Sequence, residues 1–147
     1  MSPEINLFNS RAVGEALSER PSILVIEDEY FLQADLEQVL TDAGFATEIV
    51  GSGEEALTLF IGGTINCAAL ITDIRLRGRL SGWDVARRIR EKEAAFPVIY
   101  LTAFSANEWT AHGVPNSILI SKPFAPAQLV TALSNLLNSG PAPTSPT

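Results

Sequence analysis

The chain holds a single cysteine, Cys67, in 147 residues, so no disulfide can form within it. Its longest apolar runs are strand-length, far short of the roughly 18 residues a membrane-spanning helix needs. The first residues lack the basic start followed by a long apolar stretch that marks a secretory leader. Positive charge is also scarce. Ten lysines and arginines face 17 acids, for a net charge of −7 and a sequence pI near 4.6. That balance disfavours direct nucleic-acid binding through a basic face. With neither span nor leader, the expected location is the cytoplasm, without membrane insertion.

What the chain does have is apolar content. It is 46% hydrophobic with a mean hydropathy of +0.19, which points to a packed globule rather than disorder. The length suits one domain with short arms, able to bury a core without staples.

Residues 1–21 read as an arm bracketed by Pro3 and Pro21, in which Val13, Ala16 and Leu17 have the spacing of a short helix over 11–19. Residues 139–147 are rich in Pro, Ser and Thr and read as a flexible tail or linker stub. Between them, apolar runs alternate with helical patterns. Strands are expected over 22–26, 45–50, 67–72, 96–101 and 116–120. The first helix carries Leu32, Leu36, Val39 and Leu40 on one face and stops at Gly44. Ser52 and Glu55 form a capping pair ahead of the second, which Gly62 and Gly63 end. The third is expected over 83–92. A short fourth over 106–111 has Ser105 and Glu108 at its start, and a last one begins at Pro126 with Leu129, Leu133, Leu136 and Leu137 as its stripe. Five strands alternating with five helices imply a parallel sheet covered on both faces. The ligand site of such a sheet lies beyond the carboxyl ends of its strands.

Those ends carry the chemistry. The first strand runs into Glu27-Asp28-Glu29, the third into Asp73, the fourth into Thr102, and the fifth into Lys122. Three of these carboxylates, Glu27, Asp28 and Asp73, with a hydroxyl and an ammonium, suit a magnesium ion and a phosphoryl group. Asp73 is the candidate acceptor, because a carboxylate can attack phosphorus and become an aspartyl phosphate.

The segments Ile23-Leu24-Val25-Ile26-Glu27-Asp28-Glu29, Ile71-Thr72-Asp73, Tyr100-Leu101-Thr102-Ala103 and Ser121-Lys122-Pro123-Phe124 resemble, in order and spacing, the receiver domain of two-component response regulators. The likeness is to stand-alone, chemotaxis-regulator-like members and covers residues 22–138. It implies a flavodoxin-like, doubly wound α/β domain with strand order 2-1-3-4-5. It implies that Asp73 accepts a phosphoryl group from a histidine kinase or a phosphotransfer protein. It also implies Mg2+ held by Glu27, Asp28, Asp73 and the backbone carbonyl of Arg75, with Lys122 and Thr102 drawn to the phosphate and a cis bond between Lys122 and Pro123. Small Ala103 would leave the acceptor accessible. The readout would be a population shift in the face built from the fourth helix, fifth strand and fifth helix, which would meet the downstream partner or a second copy. With only about nine residues after the last helix, no output domain is expected to follow.

Several positions depart from the family pattern. Glu27 replaces the commoner aspartate and remains an oxygen ligand. Leu119 stands where a switching aromatic is usual, with Phe104 as an aromatic nearby. The stretch after the acceptor carries Arg75, Arg77 and Arg79, with Arg77 in place of the usual proline. These arginines either serve the site, by steering a phosphodonor, touching the kinase or altering phosphate lifetime, or belong to a solvated loop balanced by nearby acids. Trp109 lies on the family's partner face, and Trp83 is expected to be half-buried. His112 reads as a surface histidine and Cys67 as packing in a buried strand.

Two other functions compete. One is a phosphorylation-independent docking or dimerisation module, suggested by Leu119 and the arginine loop and opposed by the intact acidic site. The other is a hydrolase of the haloacid dehalogenase type. That chemistry wants a second aspartate two residues after the nucleophile, where this chain has Arg75. The expectation is a phosphoacceptor that catalyses only its own phosphorylation and dephosphorylation, not a conventional enzyme.

Overall fold

The computed structural model describes residues 20–103 and 106–139. Five strands, β1 (Ser22–Ile26), β2 (Ala46–Val50), β3 (Ala69–Asp73), β4 (Val98–Thr102) and β5 (Ile118–Ser121), form one sheet. Every pairing is parallel and the order is β2-β1-β3-β4-β5, as expected. The helices are α1 (Tyr30–Asp42), α2 (Gly53–Ile61), α3 (Gly82–Lys92), α4 (Trp109–His112) and α5 (Pro126–Ser139). Most of the expected arm and of the expected tail lies outside the described residues, as do Phe104 and Ser105. Ser139, expected to open the tail, is instead the last residue of α5.

The sheet is apolar on both faces because it is covered on both. Ile23, Val25, Ile71, Ile99, Leu101 and Ile120 pack with Leu36 and Leu40 of α1 and Leu129 and Leu133 of α5. Leu24, Ile26, Leu70, Val98 and Tyr100 pack with Leu57 and Phe60 of α2 and Val85, Ala86 and Ile89 of α3. Alternation along each strand thus serves two cores rather than a core and solvent. Each large side chain so buried contributes about 1.5–3 kcal/mol.

Local signals set the helix ends. The Ser52 hydroxyl accepts from Glu55 N (3.2 Å). At α3, Ser81 and Asp84 make a full reciprocal capping box, which starts the helix at Gly82, one residue before the expected Trp83. The expected fourth helix is a 3-10 turn over Ala106–Glu108 followed by only four α-helical residues.

Three further expectations need correction. Cys67 precedes β3 rather than opening it, and is half-buried; burial pushes its thiol up to about 11. Trp83 is buried, its ring 4.6 Å from that of Tyr100. β3, β4 and β5 each end one residue later than expected, so Asp73, Thr102 and Ser121 are themselves the last strand residues.

Candidate functional site

The carboxyl edge of the sheet gathers the predicted residues. Glu27 follows β1, Asp73 closes β3, Thr102 closes β4 and Lys122 follows β5. They line a cavity of about 210 Å3 together with Asp28, Glu29, Ile74, Arg75, Leu101 and Ala103. The β4–β5 register sets Thr102 opposite Ser121, and Lys122 N donates to the Thr102 carbonyl (2.7 Å). Lys122 is joined to Pro123 by a cis peptide bond.

Glu27 is almost wholly buried and held on several sides. Its N–H donates to Val50 O (3.0 Å), its Oε1 accepts from Glu29 N (3.0 Å), and its carbonyl accepts from the Gln33 side chain (2.6 Å). Asp73 is 6% exposed. Gly82 packs directly on its carbonyl, and Gly82 N donates to Ile74 O (2.8 Å). The α3 start thus backs the backbone of Asp73.

The Lys122 ammonium bridges two of the acids. It lies 2.6 Å from Asp73 Oδ1 and 3.4 Å from Glu27 Oε2. The closer contact is an ion pair without an aligned hydrogen bond, since Asp73 Oδ1 has no hydrogen-bond partner. Burial, then the neighbouring Glu27, push the Asp73 carboxyl up from 3.8 to about 8 against the opposing pull of Lys122. Burial works to lower the Lys122 ammonium, but Asp73 and Glu27 together raise it.

Ligand oxygens of Glu27, Asp28 and Asp73 lie within 4.8 Å of one another. A buried carboxylate oxygen without a hydrogen bond, in an all-oxygen donor set, fits a hard divalent cation such as Mg2+. Arg75, assigned a backbone ligand by resemblance, lines the same cavity.

The loop between β3 and α3 is tied down by acids from elsewhere. Arg77 Nε lies 3.5 Å from Asp28 Oδ2. Arg79 N donates to Glu54 Oε2 (2.8 Å), and this backbone donor is the main reason the Glu54 carboxyl is held below its usual range. Sequence reasoning missed Glu54, because nothing in its spacing links an acid in the first turn of α2 to a loop 25 residues on. It also missed the Ser81 capping box, although the pattern Ser81-x-x-Asp84 was there to read.

The remaining candidates lie away from the cavity. Leu119 is partly buried, packed against the core on the α2–α3 side. The Trp109 indole N–H donates to Ser117 Oγ (3.0 Å), so one edge of the ring is committed within the domain. His112 is exposed and ends α4 rather than lying in a loop, its ring 6.0 Å from Trp83. Among the described residues no helix is long and apolar enough to cross a membrane.

The family model described as the response regulator receiver domain matches residues 23–134. The transcriptional regulatory protein TcrA of Mycobacterium tuberculosis is 33% identical over 139 residues, covering 93% of this chain and 53% of that protein. The transcriptional regulatory protein CusR of Escherichia coli K12 is 31% identical over 122 residues, or 82% of this chain and 52% of its own length. The chain therefore spans about half the length of these curated relatives. Among solved structures, a response regulator receiver protein from Sinorhizobium medicae WSM419 superposes with a TM-score of 0.80 at 43% identity, covering 82% of this chain and 97% of that one.

Proposed function

Because this chain belongs to the response regulator receiver family of two-component systems, we propose that Asp73 accepts a phosphoryl group from a histidine kinase or phosphotransfer protein. The observation that carries this reading is the convergence of Asp73, Glu27, Asp28 and Lys122 at one sheet edge, with Lys122 Nζ 2.6 Å from Asp73 Oδ1. An Asp73 carboxylate oxygen attacks phosphorus, the bond from phosphorus to the donor histidine nitrogen breaks, and that nitrogen keeps the electron pair. Such transfer is mostly positioning and charge neutralisation.

Glu27, Asp28, Asp73 and the Arg75 carbonyl would hold Mg2+, which supplies positive charge against the phosphoryl oxygens. Lys122 leaves the carboxylates for a phosphate oxygen, and Thr102 donates its hydroxyl to the same group. The added charge of roughly −1.5 to −2 shifts the domain between two states. A downstream protein partner reads that shift, or takes the phosphate itself.

The module acts on its own phosphate only. Arg75 occupies the position a haloacid dehalogenase would need for its acid/base aspartate, so turnover of outside substrates is not expected. Beryllofluoride with Mg2+ tests the reading. Resonances of Asp73, Thr102 and Lys122 should shift together in the wild type, and those of Thr102 and Lys122 should stay put in Asp73→Asn. Failure of the wild type to respond would favour a phosphorylation-independent docking module. Steady release of phosphate from small esters would favour the hydrolase.

A further inference from the structure

We propose that Arg77 is a built-in cation that competes with a divalent metal for Asp28 and so weakens the site's hold on its ion. The inference rests on reading the three carboxylates as a cation site, and deepens that reading.

Arg77 Nε lies 3.5 Å from Asp28 Oδ2, with the arginine side chain 85% and the aspartate side chain 26% exposed. Asp28 is also one of the three acids whose ligand atoms lie within 4.8 Å of one another. Its carboxylate therefore answers to two cations. A guanidinium beside one oxygen lowers the negative potential that draws a metal ion to the other, and two cations brought to one carboxylate repel. The other acids of the cluster are matched differently, since Lys122 faces Asp73 and Glu27.

The guanidinium is delivered by a fixed turn. Arg79 N anchors on Glu54 Oε2 (2.8 Å), and Gly78 adopts φ +96 against the same carboxylate. That left-handed φ strains any residue with a side chain, so the approach depends on glycine. Arg77 thus leaves the loop just ahead of a pinned turn, on the side of Asp28.

The arginine half of the pair is exposed, so the effect is modest and screened by salt. Full-length wild type, Arg77→Gln and Arg79→Gln are compared by calorimetric titration with Mg2+ and by electron paramagnetic resonance with Mn2+. Arg77→Gln should tighten both ions by about two- to five-fold at low ionic strength. Arg79→Gln removes one charge from the same loop while keeping the backbone anchor on Glu54, and should tighten them by clearly less. Unchanged or weaker binding in Arg77→Gln overturns the proposal, as does equal tightening in both variants. Wild type that takes up neither ion defeats the cation reading and this proposal with it. Wild-type binding without a gain in Arg77→Gln defeats this proposal alone.

Discussion

Lys122 Nζ stands 2.6 Å from Asp73 Oδ1, yet that buried oxygen receives no aligned hydrogen bond. The pair is close enough to neutralise charge, and on the proposed reading the lysine changes partner when a phosphoryl group arrives. Lys122→Met should strip the buried acids of their counter-charge and lower stability by about 1–3 kcal/mol near pH 8. The loss should shrink near pH 5, where Asp73 carries a proton. Urea denaturation at the two pH values measures the difference.

The raised Asp73 carboxyl has its own consequence. In the unfolded chain it ionises near 3.8, and in the folded chain near 8. Folded and unfolded states both hold the proton at low pH, so its contribution is neutral there. Between these values the unfolded state gives up the proton and the folded state resists, so stability falls as pH rises through that window and levels off above it. Asp73→Asn should remove this slope and gain on the order of a few kcal/mol over the metal-free wild type at neutral pH. Mg2+ should lift wild-type stability toward the variant while leaving the variant unchanged. Denaturation midpoints against pH, with and without the ion, check both statements.

Gly82 lies against the backbone of Asp73. An added Cβ at Gly82 would run into the Asp73 carbonyl, whereas one at Gly51 would meet nothing within 4 Å. Gly82→Ala should cost about 2 kcal/mol or more and weaken beryllofluoride binding, because the backbone of Asp73 has to move. Gly51→Ala should change stability by no more than about 0.5 kcal/mol. Chemical denaturation paired with a beryllofluoride titration separates them.

Tyr100 ties the sheet to the segment after α4. Its hydroxyl accepts from Val114 N (3.1 Å), and the Val114 carbonyl accepts from Ser117 Oγ (2.6 Å). Tyr100→Phe strands a buried N–H and should cost about 1–2 kcal/mol. The measurement is a urea midpoint, with Ser117→Ala as a second cut in the same network.

The layout of this domain was largely legible because its strands are buried on both faces. Runs such as Ile23–Ile26 and Leu70–Thr72 have no other plausible place, and each ends in a polar residue at the same sheet edge. Asp73, Glu27, Asp28, Thr102 and Lys122 could be picked out for that reason, and the structure brings them around one cavity. The short α4 was less legible, since its order rests on Trp109 reaching Ser117 and on Tyr100 reaching Val114, contacts with no sequence period. The clamp on the arginine loop was invisible for the same reason. Glu54 meets Arg79 only because α2 and the β3–α3 loop are neighbours in the folded sheet.

Intact-protein mass spectrometry after incubation with acetyl phosphate and Mg2+ decides whether Asp73 is the phosphoacceptor. The wild type should gain one phosphoryl group, mapped to Asp73, dependent on the cation and absent from Asp73→Asn. A wild type that stays unmodified with the ion present, or a phosphoryl group that persists in Asp73→Asn, would contradict that role.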